Sequence, residues 1–298
     1  MITDKEDVTE NLSLSTVLHH LSHYGIHNQS IRHLRSSVNE TFLVDGKRYI
    51  LRMYREGVPD VYAKGKELAT VRAQRLYDAG ANVVPPTAID PFSEQGWVST
   101  LWMAGDAGNV SYGELFEALL SLHQIQDTSV VKELGLVPMN VVGTVRASAE
   151  KFWSSGSGSG EIGEFLHDLV EDCETSHARL VEAGGDVVHL DGYVGNVVWF
   201  EGRPCLIDLD TLSLGPWQYD FVVPYSSFLC AGGGVRMDGV PCEVFEWSLF
   251  EDAMRVRFAD VFSRVCAMSV GSEVYRNEMM VRFASLKHGV FSPWNMKL

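Results

Sequence analysis

Cysteine is scarce in this sequence and poorly spaced for pairing. Only Cys173, Cys205, Cys230, Cys242 and Cys266 occur, and an odd count without a Cys-x-x-Cys pair argues against a disulfide framework or a zinc ribbon. Basic residues are also in deficit. The 24 Lys and Arg against 39 Asp and Glu give a formal net charge of −15, which disfavours general attraction to nucleic acid or to an anionic membrane. Long apolar runs are missing too: the most apolar late stretch, FVVPYSSFLCAGGG from Phe221, is too short and too broken to span a bilayer. The acidic, polar start MITDKEDVTENL is unlike a secretory signal. These absences lead us to expect a reduced, soluble, cytoplasmic protein that engages neither nucleic acid nor membrane.

The remaining composition is that of a globular chain, 46% hydrophobic and 21% charged, and 298 residues favour two packed units or one large unit with two lobes. Apolar positions at helical spacing in residues 11–24 predict a short N-terminal helix. ETFLV and KRYILRM flank Asp45-Gly46, a strong hairpin signal. A two-residue turn there places Arg52 opposite Asn39. A helix ending at Gly80 and a strand over GWVSTLWM (96–103) follow. Beyond Gly105 helical patterns dominate, at 112–126 and 161–184, separated by SSGSGSG (154–160), which reads as a flexible connector.

Residues 187–210, VVHLDGYVGNVVWFEGRPCLIDLD, carry three aspartates, an asparagine and a histidine within a strand-like apolar context. Burying carboxylates is costly unless they are compensated. With Glu201-Gly202 as the turn, Phe200 faces Arg203 and Asn196 faces Ile207, roughly 5 Å across the ladder. An amide oxygen and the Asp208 carboxylate then meet at the open end of the hairpin, a donor set suited to a hard cation. Asp191 lies five residues before Asn196, the D-x-x-x-x-N spacing of phosphoryl-transfer catalytic loops, and His189 precedes the aspartate by two. Two other readings remain open on the residues alone: solvated acids at the ends of a hairpin, and a metallohydrolase cluster of His189, Asp191, Asp208 and Asp210.

The segment HLDGYVGNVVWFEGRPCLIDLDTLSLGPWQYDF resembles the H-G-D-x-x-x-x-N … I-D-x-x-x-x-x-G-P-x-x-x-D pattern of the aminoglycoside phosphotransferase and choline kinase-like family. The resemblance is tight over about 35 residues and looser through ILRM, the helix containing Glu67, STLWM and L-x-x-L-H at 119–123. It implies an α+β, two-lobed protein-kinase-like fold. Residues 1–103 would form a small antiparallel-sheet nucleotide-binding lobe, and 104–298 a larger, mainly helical catalytic and substrate-binding lobe. By position, Asp191 would be the catalytic base or the carboxylate that orients the acceptor hydroxyl, and Asn196 and Asp208 would hold Mg2+. Asp210 would lie near metal or substrate, and Asp220 would brace the loop that His189 begins. Arg52 would bind phosphate, with Glu67 as its helix partner. Leu101–Met103 would be the hinge that meets adenine, with Trp102 or Met103 on the ring. The implied activity is transfer of a phosphoryl group from ATP, or GTP, to a small and cationic acceptor. Acids such as Glu161 and Glu164 are candidates for meeting its ammonium groups. The alternative is a nucleotide-binding regulatory protein without turnover. Two departures stand out. Leu190 replaces the glycine after the histidine, so the backbone there is expected to avoid conformations open only to glycine. The phosphate loop SSVNE (36–40) has no glycine at all.

Overall fold

A computed structural model describes residues 12–27, 30–36, 39–46, 48–55, 60–230, 245–289, 291, 293 and 294, with the side chains of 36, 60–67 and 228 outside that set. In chain order, α1 (Leu14–His23), β1 (Ile31–Ser36), β2 (Glu40–Val44), β3 (Tyr49–Arg55) and α2 (Asp60–Asp78) come first. They are followed by β4 (Phe92–Glu94), β5 (Trp97–Met103), α3 (Tyr112–His123), α4 (Thr128–Glu133), α5 (Val141–Phe152) and α6 (Glu161–Ala183). The last third holds β6 (Asp186–Val188), β7 (Val197–Phe200), β8 (Arg203–Leu206), β9 (Ser213–Gly215), α7 (Tyr219–Cys230), α8 (Trp247–Ser269) and α9 (Glu273–His288). The chain divides into two compact units, residues 1–135 with 195–211, and residues 136–194 with 212–298.

The first unit is built on a five-stranded antiparallel sheet of order β1-β2-β3-β5-β4. Its core joins one face of α1, through Val17 and Leu21, to Phe42, Val44, Leu51, Met53, Trp97 and Leu101. Burying each such side chain is worth roughly 1.5–3 kcal/mol. Ser13 caps α1 by accepting from Thr16 N–H. Strand alternation sends Leu51 and Met53 into that core and turns Arg52 to the opposite face.

The β2–β3 hairpin differs from the expected register. Arg52 faces Thr41, not Asn39, because the connection runs from Asp45 to Arg48, whose N–H donates to Val44 O at 3.2 Å and Asp45 O at 3.1 Å. Asp45 and Gly46 both take positive φ, 54° and 58°. A slip of two residues leaves every side chain on its expected face, since the period is two. The second hairpin has the expected register: Phe200 pairs with Arg203 and Val197 with Leu206, around Glu201 (φ 51°) and Gly202 (φ 77°). Asp106 and Trp199 exchange backbone hydrogen bonds of 2.8 and 2.9 Å, fastening the segment after β5 to β7. Gly105 permits this approach, because a Cβ there would lie 2.9 Å from Trp199 O and closer still to Val198.

The second unit is mostly helical. Helices α5 and α6 both pack on α8. Residues Leu166, Val170, Cys173 and Leu180 form the buried stripe of α6, while α8 is buried on several sides through Phe250, Ala253, Val256, Phe262 and Cys266, as expected of a central helix. The SSGSGSG segment departs from the expected loose connector. Its first half extends α5 as a π-helical turn over Trp153–Ser157, fixed by Ser155 Oγ donating to Phe152 O at 2.6 Å and by Ser154 Oγ donating to Glu150 O. Among the described residues no helix is long and apolar enough to cross a membrane.

Candidate active site

The candidate site residues fall into two groups, one in each unit. In the first unit, β3 delivers Arg52 to the end of the β7–β8 hairpin. The arginine is 9% exposed, and its Nη2 lies 3.0 Å from Asp208 Oδ1 and 3.7 Å from Asp210 Oδ2. Burial opposes the charge on its guanidinium, but Tyr54, Asp208 and Asp210 outweigh burial and raise its pKa. The Tyr54 ring lies 5.6 Å from the guanidinium carbon, and burial pushes the Tyr54 phenol upward, keeping it neutral. A buried arginine facing two carboxylates is a stable charge only while those partners, or other anions, remain beside it.

Asn196 is buried, and its carbonyl accepts from Ile207 N–H at 2.9 Å. The hairpin thus brings Asn196 next to Asp208 as its register requires. Asp208 adopts φ 62°, a left-handed conformation that aspartate tolerates better than most residues. One amide and two carboxylates at the end of a single ribbon form an all-oxygen donor set, and their chemistry fits Mg2+.

Trp102 and Met103, the expected hinge residues, diverge. Trp102 pairs with Ile50, two positions from the Arg52–Thr100 pair, and its Nε1 donates to Thr100 Oγ1 at 2.9 Å, so its indole lies on the Arg52 face. Met103 instead joins an apolar cluster with Val84, Val198, Phe200 and Cys205. The N–H groups of Met103 and Ala104 are held by Pro85 O at 3.3 Å and Arg48 O at 3.0 Å. Glu67 lies within α2, and its side chain is outside the described residues, as are Ser37 and Val38 of the glycine-free loop.

In the second unit, Asp220 is fully buried at the start of α7. Its Oδ2 accepts from His189 N–H and its Oδ1 from Leu190 N–H, both at 2.8 Å. This contact accounts for a conformation contrary to expectation: Leu190 does not avoid the left-handed region but sits at φ 65°. Two charge-assisted bonds outweigh the roughly 1–2 kcal/mol that an L side chain pays there. The loop so held carries Asp191. Burial opposes the charge on Arg264 of α8, yet Asp260 and then Asp191 raise its pKa. Asp260, 3% exposed, fixes Arg264 by accepting from its Nε at 2.7 Å. Neither Arg264 nor Asp260 was singled out in the sequence, since nothing local distinguishes them from an ordinary i,i+4 helix pair.

Residues 30–240 match the phosphotransferase enzyme family. No curated protein matches the chain. Among solved structures, spectinomycin phosphotransferase in complex with ADP and spectinomycin is 15% identical, with 95% of each chain covered and a TM-score of 0.56. The GDP and kanamycin complex of APH(2″)-IIIa is 12% identical, covering 93% of this chain and 99% of its own at a TM-score of 0.62. An amicoumacin kinase in complex with AMP-PNP, Ca2+ and Ami is 13% identical, covering 89% of this chain and 90% of its own at a TM-score of 0.58. At such identities the likeness speaks for the fold: an antiparallel-sheet N-terminal part and a mostly helical C-terminal part of the protein-kinase-like kind. With that fold in place and the family match running from β1 through α7, the chain belongs to the phosphotransferase enzyme family.

Proposed function

We propose that this enzyme is a cytoplasmic kinase for small molecules. It transfers the γ-phosphate of ATP, or of GTP, to a hydroxyl of an aminoglycoside-like, amino-sugar or amino-alcohol acceptor that carries positive charge. The observation that carries the reading is the buried Arg52, 3.0 Å from Asp208 and 3.7 Å from Asp210 at the end of the β7–β8 hairpin. A guanidinium kept charged in a buried position, with hard oxygen donors beside it, suits a triphosphate and its divalent ion.

Catalysis is then chiefly positioning and charge neutralisation. Asn196 and Asp208, with Asp210 beside them, would hold Mg2+, which would supply charge neutralisation at the phosphates. Arg52 binds phosphate. Trp102, on the same sheet face as Arg52, packs on the base. Asp191 orients the acceptor hydroxyl and takes its proton, while Asp220, through His189 and Leu190, fixes the loop that presents it. The functional division falls at the end of β5, with residues 1–103 serving the nucleotide and 104–298 the acceptor and the chemistry.

The test is nucleotide consumption by the wild type with ATP and with GTP over a panel of aminoglycosides, amino sugars, choline analogues and nucleosides, alongside Asp208→Ala and Asp191→Asn. At least one acceptor should support turnover that Asp208→Ala abolishes. Asp191→Asn should lower turnover by about 10²–10⁴-fold and leave nucleotide affinity within a few-fold. Near-normal transfer by Asp191→Asn would refute its role. Nucleotide binding without turnover on any acceptor would favour a regulatory protein.

A further inference from the structure

We propose that Arg35, at the end of β1, is a second phosphate-binding arginine that replaces the backbone amides a glycine-bearing loop would supply. This rests on the reading of the Arg52 cluster as a nucleotide site. The sheet itself carries the evidence. Pairing across neighbouring strands sets Arg35 opposite Thr41, Thr41 opposite Arg52, and Arg52 opposite Thr100. Directly paired residues point to the same side of a sheet, so Arg35 and Arg52 project from one face, separated by a single strand.

Arg35 reaches that row because β1 is irregular. His33 pairs with Phe42 and Arg35 with Thr41, so Leu34 is an extra residue in β1 with no counterpart in β2. An unbroken strand would pair Leu34 with Thr41 and turn the Arg35 side chain to the other face. Bulges re-aim side chains in this way and recur next to active sites. Leu34 is left 44% exposed, an unfavourable placement for leucine that the bulge accepts while bringing Arg35 round.

The two arginines converge on one carboxylate. Arg52 Nη2 lies 3.0 Å from Asp208 Oδ1, and Arg35 Nη2 lies 4.0 Å from Asp208 Oδ2. Asp208 and Asp210 carry two formal negative charges and Arg52 one positive, so the group is net negative without Arg35 and neutral with it. In a chain of formal net charge −15, a triphosphate gains from a second local cation. The Arg35 side chain is 55% exposed, with five N–H donors in a fork suited to phosphate oxygens. Residues 36–40, SSVNE, contain no glycine, so close backbone approach to phosphate is restricted there. The Arg35 guanidinium supplies donors from the side chain instead.

The test compares Arg35→Ala and Arg35→Lys with the wild type, measuring affinity for Mg-ATP, Mg-ADP and adenosine and the KM for an acceptor. The alanine variant should lose at least about 10-fold in Mg-ATP affinity, less for Mg-ADP, and nothing for adenosine or the acceptor KM. Lysine should restore only part, because a point charge lacks the fork. Thermal unfolding should match the wild type, since the side chain is half-exposed. Mg-ATP affinity within two-fold of wild type in Arg35→Ala would overturn the assignment while leaving the nucleotide site intact. An equal loss for adenosine and Mg-ATP would overturn it as well. A wild type that bound no nucleotide would refute the site and Arg35's part in it together.

Discussion

The contact between Asp220 and the loop before Asp191 predicts a coupling that can be measured. Asp220 is fully buried and accepts two backbone N–H bonds, from His189 and Leu190, each 2.8 Å long. Hydrogen bonds to a charged group contribute about 1.5–3 kcal/mol each. Asp220→Asn presents one oxygen and one NH2, and the NH2 meets the second N–H donor to donor. The substitution therefore forfeits one of the two bonds, a loss of about 1.5–3 kcal/mol. The loop it releases holds Leu190 at φ 65°, a conformation costing an L side chain roughly 1–2 kcal/mol. Leu190→Gly alone removes that cost and adds about 0.4–1 kcal/mol of unfolded-state freedom, so its net effect should lie between neutral and a stabilisation of about 1.6 kcal/mol. In the Leu190→Gly background, Asp220→Asn should cost more than in the wild type, because a loosened wild-type loop recovers the strain at Leu190 whereas a glycine loop has none to recover. A double-mutant cycle in urea, followed by tryptophan fluorescence with phosphotransfer rates in parallel, should give a coupling of about 0.5–1.5 kcal/mol. Additive effects within about 0.3 kcal/mol, or Asp220→Asn within about 0.5 kcal/mol of wild type, would refute the reasoning.

Two further outcomes follow from particular side chains. Gly163 lies in the first turn of α6, where alanine normally gains about 0.8–1 kcal/mol over glycine. A Cβ at 163, however, would lie 2.6 Å from the Gly158 carbonyl carbon and nearer its oxygen, so Gly163→Ala should destabilise by about 1–3 kcal/mol. A raised midpoint in chemical denaturation would contradict this. His20 is fully buried, with Nδ1 2.8 Å from Ser99 Oγ and Nε2 3.1 Å from Glu94 O. Burial, outweighing the Glu94 contact, lowers its pKa below 6.5. The unfolded chain then takes up this proton first, so the stability His20 contributes is complete above pH 6.5 and declines as pH falls below it. His20→Gln should flatten the dependence of unfolding free energy on pH below 6.5, leaving the smaller slope due to His177, which burial also depresses. An unchanged slope would show that His20 is not the titrating group.

Much of this was legible in the sequence, for a local reason. Asp45-Gly46 and Glu201-Gly202 announce turns because each needs positive φ at both positions, and the spacing from Asp191 to Asn196 and Asp208 follows once the second turn is placed. The first turn misled by two residues, because Asp-Gly also occurs in longer connections and nothing in KRYILRM fixes where pairing resumes. SSGSGSG was misread because serine hydroxyls that bond back to the preceding turn offset its poor helix propensity. Leu190 was misread because the force that holds it, the Asp220 carboxylate, lies 30 residues away. Arg35 was missed for a similar reason: a bulge at Leu34 leaves no composition signal, and Asp208 is distant in sequence.

The discontinuity of the first unit bears on biosynthesis. Its apolar cluster of Val84, Val198, Phe200 and Cys205 joins residues on either side of a long excursion, because the chain leaves this unit after Gly135 and re-enters it at Gly195. The nascent sheet therefore emerges from the ribosome with one flank bare, and roughly 4–15 s of elongation at about 5–20 residues per second pass before the covering ribbon is made. During that interval Val84 and Tyr77 lack the cover of Val198, Phe200 and Cys205. A fragment stopped at residue 135 would remain in that state, whereas one carried through Thr211 can close.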